Sequence, residues 1–87
     1  MREPNIAVYG STTCGDTNRA TAALDAKQIQ FEFKDVNLFP EFNDYIAGLN
    51  GGKRVMPTIR VNNQTYINPS VPELMQAIEE AKAAPAS

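Results

Sequence analysis

The 87-residue sequence contains no histidine, no tryptophan and a single cysteine, Cys14. Without histidine, zinc sites of the Cys/His type are excluded, and so are Ser-His and Cys-His catalytic pairs. One cysteine cannot form an internal disulfide, so no disulfide framework holds this fold together. What remains available for chemistry is one thiol, whose surroundings decide whether it reacts.

Basic residues and long apolar runs are also scarce. The net charge is −2 and the sequence pI about 4.9, which argues against nucleic acid as a partner because phosphate binding needs a basic face. The first apolar run, residues 6–9, is too short for a signal peptide or a membrane span. We therefore expect a cytoplasmic protein without membrane contact, whose thiol stays reduced.

The hydrophobic pattern predicts one α/β domain over residues 1–87 with the order βαβαββα and a core at 5–81. Apolar residues at 42, 45, 46 and 49 follow the helical spacing, and Ser70-x-x-Glu73 is a capping box that starts the last helix. Strands are predicted at 5–9, 30–36, 58–61 and 64–67, and helices at 15–28, 40–49 and 71–81. The βαβ unit implies two parallel strands, and Asn62-Asn63 predicts a two-residue turn between the last two strands.

Cys14 lies between the first predicted strand and the first predicted helix, in the stretch GSTTCGDTN. The N–H groups of a helix start stabilise an anion and lower a thiol pKa, whereas the charge of Asp16 opposes ionisation. Arg19, three residues after Asp16, can offset that charge, so we expect the amides to outweigh the charge of Asp16. The alternative is a small buried hydrophobe, which the polar run at 11–13 disfavours.

Two proline-containing stretches are further candidates. Met56-Pro57 precedes the third strand, and an X–Pro bond is ordinarily trans. Asn68-Pro69-Ser70 forms a turn and a helix N-cap, and such a helix start can also hold a polar or anionic ligand group. For the adjacent basic residues Lys53-Arg54 we favour a solvated loop.

These features occur together in one known family. The chain resembles a glutaredoxin, and more closely the mycoredoxin-like branch, over residues 5–81. The motifs that carry the resemblance are VYGSTTCG at the first strand, NGGKRVMPT before the third strand and TYINPS before the last helix. Each motif alone is weak, but three in this order are specific.

The resemblance implies a thioredoxin-like fold, with a four-stranded mixed sheet flanked by three helices. It further implies that Pro57 is cis and faces the sulfur of Cys14, with a low-molecular-weight thiol, mycothiol or glutathione, as cosubstrate. No permanently bound cofactor and no metal are expected. The implied catalytic residues are Cys14 and Thr17. The implied thiol-binding residues are Tyr9, Thr13, Met56, Pro57, Asn68, Pro69 and Ser70.

Several positions depart from the family pattern. The second cysteine of CxxC is Thr17, and the CGFS motif of the iron–sulfur-carrying branch is absent. Three residues before the cysteine, where many glutathione-using members have lysine, this chain has Ser11. Thr13 replaces the tryptophan often found beside the cysteine. Glutathione as the natural thiol is therefore in question.

Three functions follow from this pattern. The first is a monomeric monothiol oxidoreductase that reduces mixed disulfides between proteins and a small thiol through Cys14. In this function Thr17 donates a hydrogen bond to the Cys14 sulfur and stabilises the thiolate without resolving the intermediate. The second is a binding or regulatory module of the same fold with a sluggish thiol. The third, ranked last because CGDT is not CGFS, is an iron–sulfur carrier in which two protomers each supply Cys14.

Overall fold

A computed structural model describes residues 3–83 of the chain. The predicted order βαβαββα is confirmed. The strands are β1 (Ile6–Gly10), β2 (Glu32–Asp35), β3 (Thr58–Val61) and β4 (Gln64–Ile67); the helices are α1 (Gly15–Ala26), α2 (Pro40–Leu49) and α3 (Val71–Ala83). Residues 1–2 and 84–87 of the predicted domain lie outside the described part of the chain.

The four strands form one mixed sheet in the order β2-β1-β3-β4. β1 pairs in parallel with β2 and antiparallel with β3, and β3 forms a hairpin with β4. The hairpin turn at Asn62-Asn63 forms as predicted, with Asn62 at a positive φ of 55°. Because β1 is an inner strand, the loop that follows it lies at one end of the sheet, between the ends of neighbouring strands.

The two faces of the sheet carry separate cores. Ile6 and Val8 of β1 point to the face covered by α1 and α3, whereas Tyr9 points to the face covered by α2. This is the alternation that a strand imposes on successive side chains. The buried residues of the larger core are Ile6, Val8, Ala20, Leu24, Ile29, Ile59, Val61, Leu74 and Ile78. Those of the smaller core are Tyr9, Val36 and Ile46.

The first helix is shorter than the predicted 15–28. It ends at Ala26, and Lys27 is an exposed C-cap. Gln28 takes a positive φ of 56°. Its amide donates to the carbonyl of Asp25 and the Ile29 amide donates to that of Leu24, at 3.0 and 2.9 Å. These two bonds are a Schellman ending, which the sequence hides because glutamine occupies the usual glycine position.

The second strand is also shorter than predicted, 32–35 instead of 30–36. The alternation of the sequence predicts Phe31 and Phe33 on one side of this strand; Phe33 is 36% exposed, whereas Phe31 packs against the larger core. β2 pairs with one neighbour only, so it is an edge strand of the sheet and its side chains are incompletely covered.

Within residues 3–83 no helix is long and apolar enough to cross a membrane.

Candidate active site

Three loops meet at the end of the sheet where the C-terminus of β1 lies. The register pairs Tyr9 of β1 with Thr58 of β3, and Thr58 with Ile67 of β4. The Cys14 loop follows the first of these strands, Pro57 precedes the second, and Asn68 follows the third. The Asn68 amide donates to the Pro57 carbonyl at 2.8 Å and ties two of the loops together. The fold thus brings the three motifs found in the sequence to the same end of the sheet.

Cys14 is the N-cap residue of α1. Its backbone is extended, with φ −95° and ψ 121°, and its side chain makes no capping hydrogen bond. The Cys14 amide donates to the Ser11 carbonyl at 3.1 Å, and its own carbonyl accepts the Asn18 amide at 3.0 Å. The thiol is partly exposed. The sulfur is therefore held where the first amides of a helix stabilise negative charge.

The pKa of Cys14 is lowered, chiefly because the Thr17 hydroxyl can donate to the thiolate, and then by the Thr17 amide. Partial burial raises the pKa, the Asp16 amide lowers it, and the Asp16 charge is the weakest influence. Asp16 also accepts a hydrogen bond from Arg19 at 2.8 Å, which offsets its charge. The predicted direction is confirmed: the amides of Thr17 and Asp16 outweigh the opposing charge of Asp16, and the Thr17 hydroxyl contributes more than either amide.

Thr17 is fully buried, and in residues 3–83 its hydroxyl oxygen has no hydrogen-bond partner in the resting geometry. This agrees with its effect on Cys14, because a thiolate accepts a hydroxyl hydrogen more strongly than a neutral thiol does. Gly10 makes room for Thr17: a Cβ at Gly10 would lie 2.5 Å from the Thr17 hydroxyl oxygen and 2.6 Å from its methyl carbon. Thr17 can therefore occupy its buried position only because residue 10 has no side chain.

Ser11 organises the loop, a role that the sequence did not reveal. It is 1% exposed, and its hydroxyl oxygen accepts hydrogen bonds from the Asn37 side chain at 2.8 Å and from the Thr13 amide at 3.2 Å. With both lone pairs used, its own hydrogen is directed to the Thr13 hydroxyl, 2.8 Å away. The Asn18 side chain further fixes the loop by donating to the Thr12 carbonyl at 2.9 Å.

The Met56–Pro57 bond is cis, as the resemblance implied, and Pro57 is buried. Met56 is partly buried and packs against the smaller core beside Tyr9. The Thr58 hydroxyl donates to the Val55 carbonyl at 2.9 Å, which fixes the loop before the proline. The candidate thiol-binding residue Met56 thus lies on a supported segment.

The third loop starts α3 through the predicted capping box. The Ser70 amide donates to the Glu73 carboxylate at 3.0 Å, and the Glu73 amide donates to the Ser70 hydroxyl at 3.2 Å. Hydrogen bonding from the Ser70 amide, and then from the Ser70 hydroxyl, lowers the pKa of the Glu73 carboxyl. Asn68 takes a positive φ of 47°, and Pro69 between them is partly buried.

The remaining candidates have different surroundings. Thr13 is exposed beside the cysteine. Tyr9 is 9% exposed, and its ring packs against those of Phe42 and Tyr45, with centroids 5.8 and 5.1 Å away. Lys53 and Arg54 are exposed, as expected of a loop pair. No group of three potential metal ligands occurs in the part of the chain that the structure describes.

Comparison with known proteins gives a consistent assignment. The glutaredoxin family model matches residues 6–67. Mycoredoxin 1 of Corynebacterium glutamicum is 26% identical over 76 residues, covering 86% of this chain and 94% of that protein. A glutaredoxin of Archaeoglobus fulgidus superposes with a TM-score of 0.69 at 17% identity, covering 84% of each chain.

A glutaredoxin of Brucella melitensis superposes with a TM-score of 0.64 at 22% identity, covering 91% of this chain and 83% of that one. At these identities the two structures demonstrate the shared thioredoxin-like fold. The family match covers two of the three loops, the one that carries Cys14 and the one before Pro57, and it ends before the third, Asn68 to Ser70. On this evidence the chain belongs to the glutaredoxin family.

Proposed function

We propose that the chain is a monothiol oxidoreductase that reduces mixed disulfides between proteins and a low-molecular-weight thiol. The family and fold support a thiol–disulfide oxidoreductase role. The observation that carries the proposal is the position of Cys14, the chain's only cysteine. It lies at the N-cap of α1, where the Thr17 hydroxyl and the first helix amides lower its pKa.

The proposed reaction has two displacements. In the first, the Cys14 thiolate attacks the small-thiol sulfur of the mixed disulfide. A new disulfide joins Cys14 to the small thiol, and the protein substrate leaves as a thiolate that takes a proton from solvent. In the second, the thiolate of another small-thiol molecule attacks the sulfur bound to Cys14 and releases a small-thiol disulfide. Cys14 returns as thiolate, and one substrate disulfide has been exchanged for another.

In this cycle the hydroxyl of Thr17 stabilises the Cys14 thiolate both as nucleophile and as leaving group. Thr17 cannot resolve the intermediate, so an external thiol is required. Thr13 and Met56 would contact the bound thiol compound beside the sulfur, with Pro57 fixing the Met56 backbone. Asn68, Pro69 and Ser70 would contact its far end. Tyr9 belongs to the small core against which Met56 packs.

The charges at the site favour a small thiol without carboxylates. Ser11 stands where a lysine would meet a glutathione carboxylate, and it is buried. The start of α3 offers few amides for an anion: Pro72 has none, and the amides of Ser70 and Glu73 are engaged in the capping box. The Glu73 carboxylate adds negative charge there. We therefore propose mycothiol, which carries no carboxylate, ahead of glutathione.

The test uses a protein that carries a single mixed disulfide with mycothiol or with glutathione. The wild-type chain should release the small thiol from this substrate when the matching free thiol and its recycling reductase are supplied. Cys14→Ser should abolish release, whereas Asp16→Asn, a matched change two residues away, should retain it. Undiminished release by Cys14→Ser would contradict the proposal.

The competing hypothesis is a binding module with a sluggish thiol, and the rate of Cys14 alkylation against pH separates the two. A thiol that titrates at or above roughly 8.5 would favour the module. The lowered pKa of Cys14 favours the oxidoreductase. Since the reaction needs a reduced thiol, we propose a cytoplasmic location.

A further inference from the structure

An apolar strip beside the active site is left uncovered. We define it as Leu38, Phe39, Phe42 and Tyr45, of which Leu38 is 71% exposed, Phe39 47% and Tyr45 38%. The rings of Phe39 and Phe42 are 5.3 Å apart. Large apolar side chains that are contiguous and exposed mark interaction surfaces more often than single ones do.

The strip is continuous with the loop that carries the nucleophile. Asn37, next to Leu38, donates to the Ser11 hydroxyl at 2.8 Å, and the Ser11 carbonyl accepts the Cys14 amide at 3.1 Å. One residue therefore joins the strip to the Cys14 loop. The Tyr9 ring packs edge-to-face against the ring of Phe42. Met56, the residue before the cis-proline, packs against the same small core.

The exposed end of the strip is held in a defined conformation. The carboxylate of Asp35 accepts hydrogen bonds from the amides of Asn37 and Leu38, at 2.9 and 3.2 Å. The Asp35 carbonyl accepts the Phe39 amide at 3.1 Å. Leu38 and Phe39 are thus presented on an ordered turn. A partner would pay little conformational entropy on the side of this chain when it covers them.

The surroundings of the strip are acidic. Residues 32–49 contain four carboxylates and one lysine. That lysine, Lys34, pairs with Glu32 at 2.9 Å and lies over the Phe42 ring at 5.3 Å. Glu41 is exposed on α2, one turn before Tyr45 and on the same side of the helix.

The nearby cation Arg54 reaches the other side of the helix. It donates to Asn43 at 3.1 Å, and Asn43 is two residues from Tyr45, about 200° around the helix axis. A basic partner therefore complements the strip. A second copy of the chain does not, because an isologous contact would bring the Glu41 carboxylates together.

We propose that the strip is the docking surface for the protein half of the mixed disulfide, which presents an apolar residue and a basic residue near its modified cysteine. This inference rests on the proposed function. The strip holds the protein half while Cys14 attacks the small-thiol sulfur. The small thiol itself would contact Met56 and Asn68, as proposed above. Recognition of the two halves is thereby divided between two surfaces.

The test compares single-turnover rates with three mixed disulfides that share one small thiol and differ in the partner. One set of three is prepared with mycothiol and a second set with glutathione. One partner is a peptide whose cysteine is flanked by leucine and lysine, one a peptide flanked by glycine and glutamate, and one is 2-mercaptoethanol. Adduct on Cys14 and released partner are quantified by mass spectrometry. The variants are Phe39→Ala and Leu38→Ala. Phe33→Ala is the matched control, since Phe33 is similarly exposed but pairs with Val8 on the opposite face of the sheet.

We expect the apolar-basic peptide to react about tenfold faster than the other peptide, and the preference to weaken with salt. Phe39→Ala should lower the ratio of the peptide rate to the 2-mercaptoethanol rate about five- to tenfold. Leu38→Ala should act in the same direction, and Phe33→Ala should leave the ratio within twofold. Glu41→Lys should reverse the preference between the peptides.

An unchanged ratio in both strip variants would overturn the inference, and so would a wild-type dimer that Leu38→Ala dissociates. Reaction with 2-mercaptoethanol disulfide but no peptide preference would remove the docking surface and leave the proposed function intact. If no disulfide reacts, the proposed function fails, and docking is decided by fluorescence anisotropy. The Cys14→Ser chain should then bind the labelled apolar-basic peptide about five- to tenfold more tightly than the Cys14→Ser/Phe39→Ala chain.

Discussion

Replacing Thr17 by valine should make the protein more stable and its thiol less acidic. Valine keeps the branched shape but removes the hydroxyl, which is fully buried and without a partner in the resting geometry of the described chain. The same hydroxyl is the strongest influence that lowers the pKa of Cys14. One substitution therefore acts with opposite sign on folding and on nucleophile activation.

The size of the stability gain follows from the burial of Thr17. A buried polar group without a partner costs about 1–3 kcal/mol. A valine methyl is slightly larger than the hydroxyl and meets the backbone of Gly10, where space is limited. We therefore expect a gain near the lower end, about 1 kcal/mol, which corresponds to roughly 4–8 °C in Tm for a domain of this size.

The gain should depend on pH. Because the folded pKa of Cys14 lies below that of the unfolded chain, ionisation stabilises the wild type above the unfolded value of roughly 8.5. This contribution is lost as the pH falls through the folded pKa. The advantage of valine should accordingly be largest at about pH 5, where the thiol is neutral, and smaller at about pH 9.

The assays are urea unfolding at the two pH values and iodoacetamide alkylation of Cys14 across the pH range. Thr17→Ser is the matched control, because it keeps the hydroxyl and deletes the methyl. It should retain the lowered pKa and lose about 1 kcal/mol of stability. If valine leaves the alkylation profile unchanged, or if it destabilises the fold at acidic pH, the assignment of the Thr17 hydroxyl is refuted.

Three further predictions concern neighbouring positions. Gly10→Ala should destabilise the fold by about 1–3 kcal/mol in urea unfolding, because the new Cβ collides with Thr17; unchanged stability would contradict the close contact. Asp16→Asn should lower the Cys14 pKa only slightly in the alkylation assay, because the Asp16 charge is the weakest influence; a large shift would reverse that order. Ser70→Ala should cost about 1 kcal/mol by thermal unfolding, since the capping box at the start of α3 is lost, and a loss under a few tenths would show that the cap is replaced.

The sequence predicts most of the fold because its local signals agree with its tertiary structure. The capping box at Ser70 and the turn at Asn62 depend on neighbouring residues, and both form as predicted. The end of α1 could not be read in this way. Gln28 takes the left-handed conformation that usually identifies a glycine, so no local signal marks the end of the helix.

The candidate site was predictable in position but not in detail. The place of Cys14 at a helix start follows from the pattern of elements. The contact between Asn37 and Ser11 joins residues 26 positions apart. The spacing of apolar and polar residues along the sequence does not predict such a long-range pair. That the Thr17 hydroxyl can donate to the Cys14 sulfur was predictable from its place in the motif, but its rank above the amides depends on the packed geometry.

The central claim is that Cys14 takes up the small thiol itself. The direct measurement is the intact mass of the chain after a single turnover with an excess of a mycothiol mixed disulfide near neutral pH. We predict a gain of one mycothiol on the wild-type chain, reversed by free mycothiol, and no gain on Cys14→Ser. A wild-type chain that remains unmodified while its alkylation confirms a free thiol would contradict the account.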